Sequence, residues 1–312
     1  MPRSARLILG FISILLGAGT LASTATTTWQ APTPAEIDRW IDRYKATGKE
    51  YAKVFLNLVA EETKVIETFD SPGRLDKRRE IISDLLVHQS PRDSGGQTAE
   101  YRDVRSVDGK LVKSRDKRIL DLIRRADNTD SIEKEVALIN RESVRYDIGC
   151  SVYNTTVHPG SFVLRDNFRF EWVGWDQIGG SEVVIIDYRE VGPSMIPLNS
   201  ELKKYGLTAV FARGRLWLDA TTSQLRQERA EVAGVHPAIS EPVTVLRLQR
   251  ENTNTDNSLG ILTPKRIVID WFRPWKTQKN QPPAFGPMCR TTLTYGSIRR
   301  FGVTTTVASP ER

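Results

Sequence analysis

Histidine and cysteine are scarce in this chain of 312 residues: three of the first, His88, His158 and His236, and two of the second, Cys150 and Cys289. No two histidines stand in His-x-x-x-His spacing, and no Cys-x-x-Cys occurs. A zinc site would have to be assembled from distant segments, so no metal is expected. The G-x-S-x-G elbow, the phosphate-binding P-loop and the G-x-G-x-x-G fingerprint are also missing, so the sequence names no nucleophile and no nucleotide cofactor. A Ser/His/acid triad assembled in another order stays open. No cofactor is expected. Beyond the first 25 residues there is no apolar run long enough to span a bilayer, which takes about 20 residues.

The first 25 residues read as a secretory signal. Arg3 and Arg6 form a basic start, Leu7–Leu16 an apolar stretch, and Ser23-Thr24-Ala25 a small-residue cleavage site. The expected product is secreted or periplasmic. Two arginines and no acid leave with residues 1–25, so the net charge of +7 becomes +5. That charge is interspersed along the chain and not gathered in a block, which argues against a nucleic-acid arm and allows loose contact with anionic envelope surfaces. In an oxidising compartment Cys150 and Cys289 could pair, closing a loop worth roughly 4–5 kcal/mol in the chain-entropy model. Two separately buried thiols is the other reading.

Periodicity divides the rest. Ile37, Trp40, Ile41 and Tyr44 share a helical face. Gly48 interrupts it, and Tyr51, Val54, Phe55, Leu58, Val59, Val65 and Ile66 carry a second stripe to Phe69, ended by Pro72-Gly73. Residues 26–73 are thus expected to be a linker and helices. Residues 74–312 are expected to form strands, with helices inserted at about 115–146, in one compact domain with 34–73. Ser114 is the expected cap of the first inserted helix, and Asp130, with Glu133 three residues on, opens the second. Beyond Gly160, "NFRFEWVG", "EVVIIDYREV", "RGRLWLDA", "QLRQERAEV", "PVTVLRLQR", "PKRIVIDWF" and "RTTLTYGS" alternate as strands separated by short turns. That is an antiparallel meander. The fold class is α+β: one curved antiparallel sheet, an open half-barrel, with helices packed on it.

The stretch "YRDVRSVDGKLVKSRDKRILDL", residues 101–122, alternates, turns on Asp108-Gly109 and runs into a helix. Its charges invite a catalytic reading. Yet five residues of strand put Asp103 and Asp108 roughly 16 Å apart, whereas the paired carboxylates of glycosidases sit about 5–9.5 Å apart. Asp103 and Arg105 fall on one face of the strand and are expected to pair there.

The stretches "YRDVRSVDGKLV", "ESVRYDIG", "NFRFEW", "RGRLWLDATTSQLRQERAEV" and "TYGSIRRFGV" resemble, in this order, an uncharacterised family of secreted bacterial proteins over about residues 40–306. The hairpin "GRLWLDATTSQLRQE" is similar at the level of fold to LolA/LolB-type lipoprotein carriers and sorting proteins. That resemblance implies an open half-barrel closed by helices, with acyl chains held in the hollow. Phe168, Phe170 and Trp172 alternate along one strand, and Trp217, Trp271 and Tyr295 lie in others. These six are the candidates to line such a cavity. The expectation is a non-enzymatic secreted or periplasmic binding protein with a lipid or acylated ligand and an envelope protein as a further partner. A filled-core protein-interaction module is the alternative, and a hydrolase without a known motif the third.

Overall fold

A computed structural model describes residues 30–56, 58–89, 98–152, 167–194, 196–253, 259–275 and 281–300. The expected signal segment and His158 lie outside the described residues. The elements run α1 (Pro34–Phe55), β1 (Leu58–Ser71), β2 (Arg74–Gln89), β3 (Thr98–Val107), β4 (Lys110–Leu111), α2 (Arg115–Asp127), α3 (Ile132–Ser143), β5 (Phe168–Ile178), β6 (Ser181–Glu190), α4 (Ser200–Lys204), β7 (Ala209–Asp219), β8 (Leu225–Val235), β9 (Val243–Thr253), β10 (Thr263–Trp275) and β11 (Ala284–Arg300).

The strands form a single eleven-stranded sheet, antiparallel, curved and open, in the order β4-β3-β2-β1-β11-β10-β9-β8-β7-β6-β5. Each strand lies beside its neighbours in sequence, except that β4 and β5 stand apart. The first and last strands join instead: β1 pairs with β11, from Leu58 against Arg300 to Thr68 against Cys289. The sheet therefore starts and ends in its own middle, and its two edges are β4 and β5.

Two helical expectations change. Gly48 does not interrupt the first helix, which runs unbroken to Phe55. The second stripe is split: Tyr51, Val54 and Phe55 belong to α1, and from Leu58 it is a strand, in which Ala60, Glu62, Lys64 and Ile66 are buried at every second position. The apolar positions 58, 59, 65 and 66 fit both periods, and the charges at 62 and 64 conceal the alternation. Among the inserted helices, Ser114 stands before α2 with φ +57° and makes no capping bond with its side chain. Ser131, not Asp130, caps α3, its hydroxyl accepting from the Lys134 amide at 3.3 Å.

Strand alternation assigns the two faces of the sheet. Leu216 and Leu218 of β7, with Val184 and Ile186 of β6, pack under Ile41 and Tyr44 of α1. We call this the inner face. The other face of β3 carries Ala99 and Tyr101, packed against Leu122 of α2 and Ile139 of α3. The chain then turns around the β3 edge, so that Cys150 meets Cys289 and Val152 meets Leu293 on the inner side. Residues 196–207, with α4 among them, cover Val210 and Val232 at the far end of that side.

Turns follow local chemistry. Asp108 and Gly109 take positive φ (49° and 75°) between β3 and β4, as a two-residue hairpin demands. After β7, Asp219 accepts from the amides of Thr221 and Thr222 and pairs with Arg226 at 2.8 Å. At Gly214 a Cβ would fall 2.3 Å from the Arg229 carbonyl and 2.5 Å from the Tyr188 ring, so the ring lies flat across a strand that only glycine permits.

The Asp219 turn carries a prediction. Burial raises its carboxyl, but the Thr222 amide and the Arg226 guanidinium outweigh that and hold it below the ordinary carboxylate value. A depressed folded value adds stability above the unfolded value of about 3.9, and that stability is lost as pH falls through the lower folded value. Asp219→Ala should therefore cost about 1–3 kcal/mol at neutral pH. In urea unfolding, the gap to the parent should hold down to about pH 4 and close only below it.

Candidate functional site

The inner face alternates between apolar and ionic stretches. At β5–β7 it is aliphatic and aromatic. Phe168, Phe170, Trp172 and Trp175 border the cluster that holds Ile41, Tyr44, Val184, Ile186 and Leu216. Trp40 of α1 meets Trp175 edge-on, with centroids 5.4 Å apart. At β8 and β9 an ion pair is set among the apolar side chains Leu225, Ala230 and Leu248. Glu228 and Arg250 are 2 % exposed and lie opposite each other across the strands, Nε to Oε2 4.0 Å. The Tyr188 hydroxyl donates to Glu228 at 3.5 Å. Tyr44 and Tyr51, seven residues apart on α1, set their rings over this pair, and burial pushes both phenols up.

Farther along, at β1–β3, the inner face holds a second set of buried charges. Arg102 donates to both oxygens of Glu62, at 2.6 and 3.0 Å, to Glu100 at 3.1 Å and to the Ser143 hydroxyl at 3.2 Å. Lys64 donates to both oxygens of Asp147, at 2.8 and 2.7 Å. Bidentate geometry and several acceptors compensate a guanidinium cut off from water. The Lys64–Asp147 pair is less well compensated. Burial, with the Arg102 charge, pushes Lys64 down, and burial pushes Asp147 up against the pull of Lys64. The signs follow by linkage. A raised Asp147 favours the fold while protonated, and that benefit ends as pH rises through its folded value. A lowered Lys64 favours the fold while neutral, and that benefit ends as pH falls through its folded value. At neutral pH both charged forms stand as penalties.

The six residues expected to line a cavity distribute unevenly. Phe168, Phe170 and Trp172 stand at the apolar end of the inner face, and Trp271 and Tyr295 border its middle with Ile267 and Leu293. Trp217 is on the other face, since Leu216 and Leu218 both point inward; the guanidinium groups of Arg215 and Arg229 lie 5.8 and 5.3 Å from its ring centroid. The indole N–H groups of Trp172 and Trp271 are buried and have no acceptor among the described residues. Cys150 and Cys289 are free thiols in contact within one cluster, and the bond to Cys289, with burial, holds the proton on Cys150. Asp103 does not pair with Arg105. It is buried under α2 and takes Arg115 and Arg118, while Arg105 reaches Glu61 at 2.8 Å. The α2 arginines, twelve and fifteen residues onward, outcompete the neighbour on the strand. The buried charges Glu62, Lys64, Glu100, Arg102 and Asp147 were not singled out by the sequence, because their partners are far apart in it.

No known family profile matches the chain, and no curated protein sequence does. Solved structures resemble it loosely. One is a DUF1329 family protein from Desulfovibrio piger: 10% identity, 88% of this chain and 95% of that one covered, TM-score 0.33. Another, from Vibrio parahaemolyticus, is described as an outer membrane lipoprotein-sorting protein domain: 10% identity, 86% and 95% covered, TM-score 0.31. A third is a LolA superfamily protein from Nitrosomonas europaea: 10% identity, 89% and 97% covered, TM-score 0.31.

The two buried ion clusters should respond differently to substitution. Arg102→Met leaves Glu62 and Glu100 without their shared cation and should cost about 3–5 kcal/mol. Lys64→Met alone should cost a similar amount, whereas Lys64→Met with Asp147→Leu should be neutral or stabilise by about 1–4 kcal/mol. Urea unfolding of the four proteins checks this.

Proposed function

We propose that this protein is a non-enzymatic binding protein of the cell envelope, exported by its N-terminal segment, that holds a lipid or acyl-bearing molecule on the inner face of its sheet. The observation that carries the reading is the apolar stretch of that face with a buried ion pair beside it. Aromatic and aliphatic side chains at β5–β7 suit a hydrocarbon chain, and the Glu228–Arg250 pair beside them suits a polar head. The indole N–H groups of Trp172 and Trp271, each without an acceptor among the described residues, would each be free to bond a carbonyl or ester oxygen. The hairpin similar to lipoprotein carriers agrees. Among the described residues, no helix is long and apolar enough to cross a membrane, and no group of His, Cys, Asp and Glu is placed to hold a metal.

In this structure α1 occupies the face. Ile41, Tyr44, Tyr51 and Phe55 are buried, and the opposite side of the helix is in solvent. An amphipathic helix joined to the sheet only at its C-terminal end is the kind of element that opens before the core does. Guest binding then amounts to exchange: acyl chain for Ile41 and Tyr44. Monoacylglycerol, which carries no phosphate, should raise amide hydrogen exchange in residues 36–55 and leave β6–β8 protected. Unchanged exchange together with no retained lipid in mass spectra would leave the filled-core interaction module as the better reading.

For Cys150 and Cys289 we propose a disulfide in the oxidising compartment, formed by exchange with an oxidoreductase disulfide that takes up the two electrons. The crosslink would tie residues 144–152 to β11. Intact mass after alkylation of the unfolded exported protein should show no modified thiol without reductant and two with it.

A further inference from the structure

We propose that the face of the sheet turned away from α1 carries a second site, a groove that binds a phosphate monoester. The groove, about 610 Å³, is centred on Gly214 and lined by Arg169, Arg189, Arg213, Arg215, Arg229 and Arg247. Glu171, Asp187 and Glu231 also line it, so six cations face three carboxylates and the balance is +3.

Cross-strand register explains why these arginines demand an anion. One row on this face runs Arg169, Arg189, Arg213, Glu231, Arg247, Asp270, Arg290, Glu67, Arg78, each residue opposite the next across nine strands. From Arg213 to Arg78 the signs alternate at every step, and Asp270 takes Arg290 at 2.6 Å. At β5–β7 the alternation fails and three arginines stand side by side. Like charges directly opposite destabilise a sheet, since neighbouring strands are only about 4.8 Å apart. Arg213 has Glu231 at 3.1 Å. Arg169 and Arg189 are exposed and have no carboxylate partner among the described residues. In the neighbouring row Asp187 is held by both nitrogens of Arg215, at 2.5 and 2.9 Å, and Glu171, beside Arg169 on β5, forms no ion pair with either arginine.

The rest of the groove is held in place. Arg215 and Arg229 stack on Trp217, and Arg247 stacks on Phe272 at 5.3 Å. Stacked and paired guanidinium groups are pre-organised, so they lose little freedom on binding. A cluster of planar forks suits the tetrahedral, dianionic oxygens of a phosphate monoester better than a single carboxylate. The site is separate from the trough beneath α1. Either site can be occupied without the other, and monoacylglycerol does not probe this one.

The phosphate could be carried by a soluble ester or by a lipid head group, and two probes separate these sources. Glycerol 3-phosphate is titrated calorimetrically at low ionic strength. Flotation is measured with phosphatidylcholine vesicles with and without phosphatidic acid. Binding of glycerol 3-phosphate that weakens about tenfold or more in Arg189→Ala, with Arg189→Lys intermediate, supports the site with a soluble ligand. Flotation that needs phosphatidic acid and is lost in the same variant, with no binding of the soluble ester, supports it with a lipid head group. Arg169→Ala repeats the test should Arg189→Ala not fold. Arg266→Ala, an exposed arginine on β10 outside the groove, should bind like the parent. The proposal is overturned if neither probe binds, or if Arg266→Ala weakens binding as much as Arg189→Ala does.

Discussion

A guanidinium removed from water must bring its counter-charges with it, and Arg102 does so by drawing three elements together. Its partners are Glu62 on β1, Glu100 on its own strand and Ser143 at the end of α3. β3 is thereby fixed to β1 across β2, and the chain after α3 is led around the sheet edge to the inner side. Lys64 and Asp147 continue the same seam, and Cys150 and Val152 come to rest beyond it. Ion clusters of this kind add little net stability, but a chain that misplaces one member leaves a buried charge uncompensated. The arrangement thus selects one register and one path for residues 143–152.

The two faces of the sheet solve opposite problems. The inner one must be kept from water and is covered by segments of the chain itself: α1, residues 143–152 and residues 196–207. Its polar stripe means that the cover cannot be purely apolar, which is why α1 sets tyrosines, and not leucines, over Glu228 and Arg250. The outer one is solvated over much of its width and manages charge by alternation along its rows. Tyr188 joins the two, with its ring over Gly214 on the inner side directly behind the arginine groove.

Much of the fold was legible in the sequence, for local reasons. Asp108-Gly109 announces its turn because few residue pairs accept positive φ twice. "EVVIIDYREV" and "RGRLWLDA" announce strands by strict alternation. What was illegible depends on contacts between distant positions. Glu62 and Lys64 look like the polar side of a helix until Arg102 and Asp147 are known to meet them. Asp103 seems bound to pair with Arg105 until α2 brings Arg115 above it. Trp217 could be taken for a cavity residue only while its inward neighbours Leu216 and Leu218 were ignored. The arginine row is the extreme case: its members come from different strands, and bulges at Trp172/Gly174 and Val232/Ala233 shift the register that aligns them.

The pairing of β1 with β11 has a further meaning for the life of the chain. Leu58 finds its partner in Arg300, so the central ladder cannot form until nearly the whole polypeptide is free to move. Hairpins β5–β6 and β7–β8 can assemble early, but the seam that unites them with β1–β3 closes a very long loop and comes late. A chain still emerging from the ribosome can therefore hold separate hairpins but not the united sheet. A polypeptide so wired takes its final shape only once its last strand is released, whatever its first strand has done before.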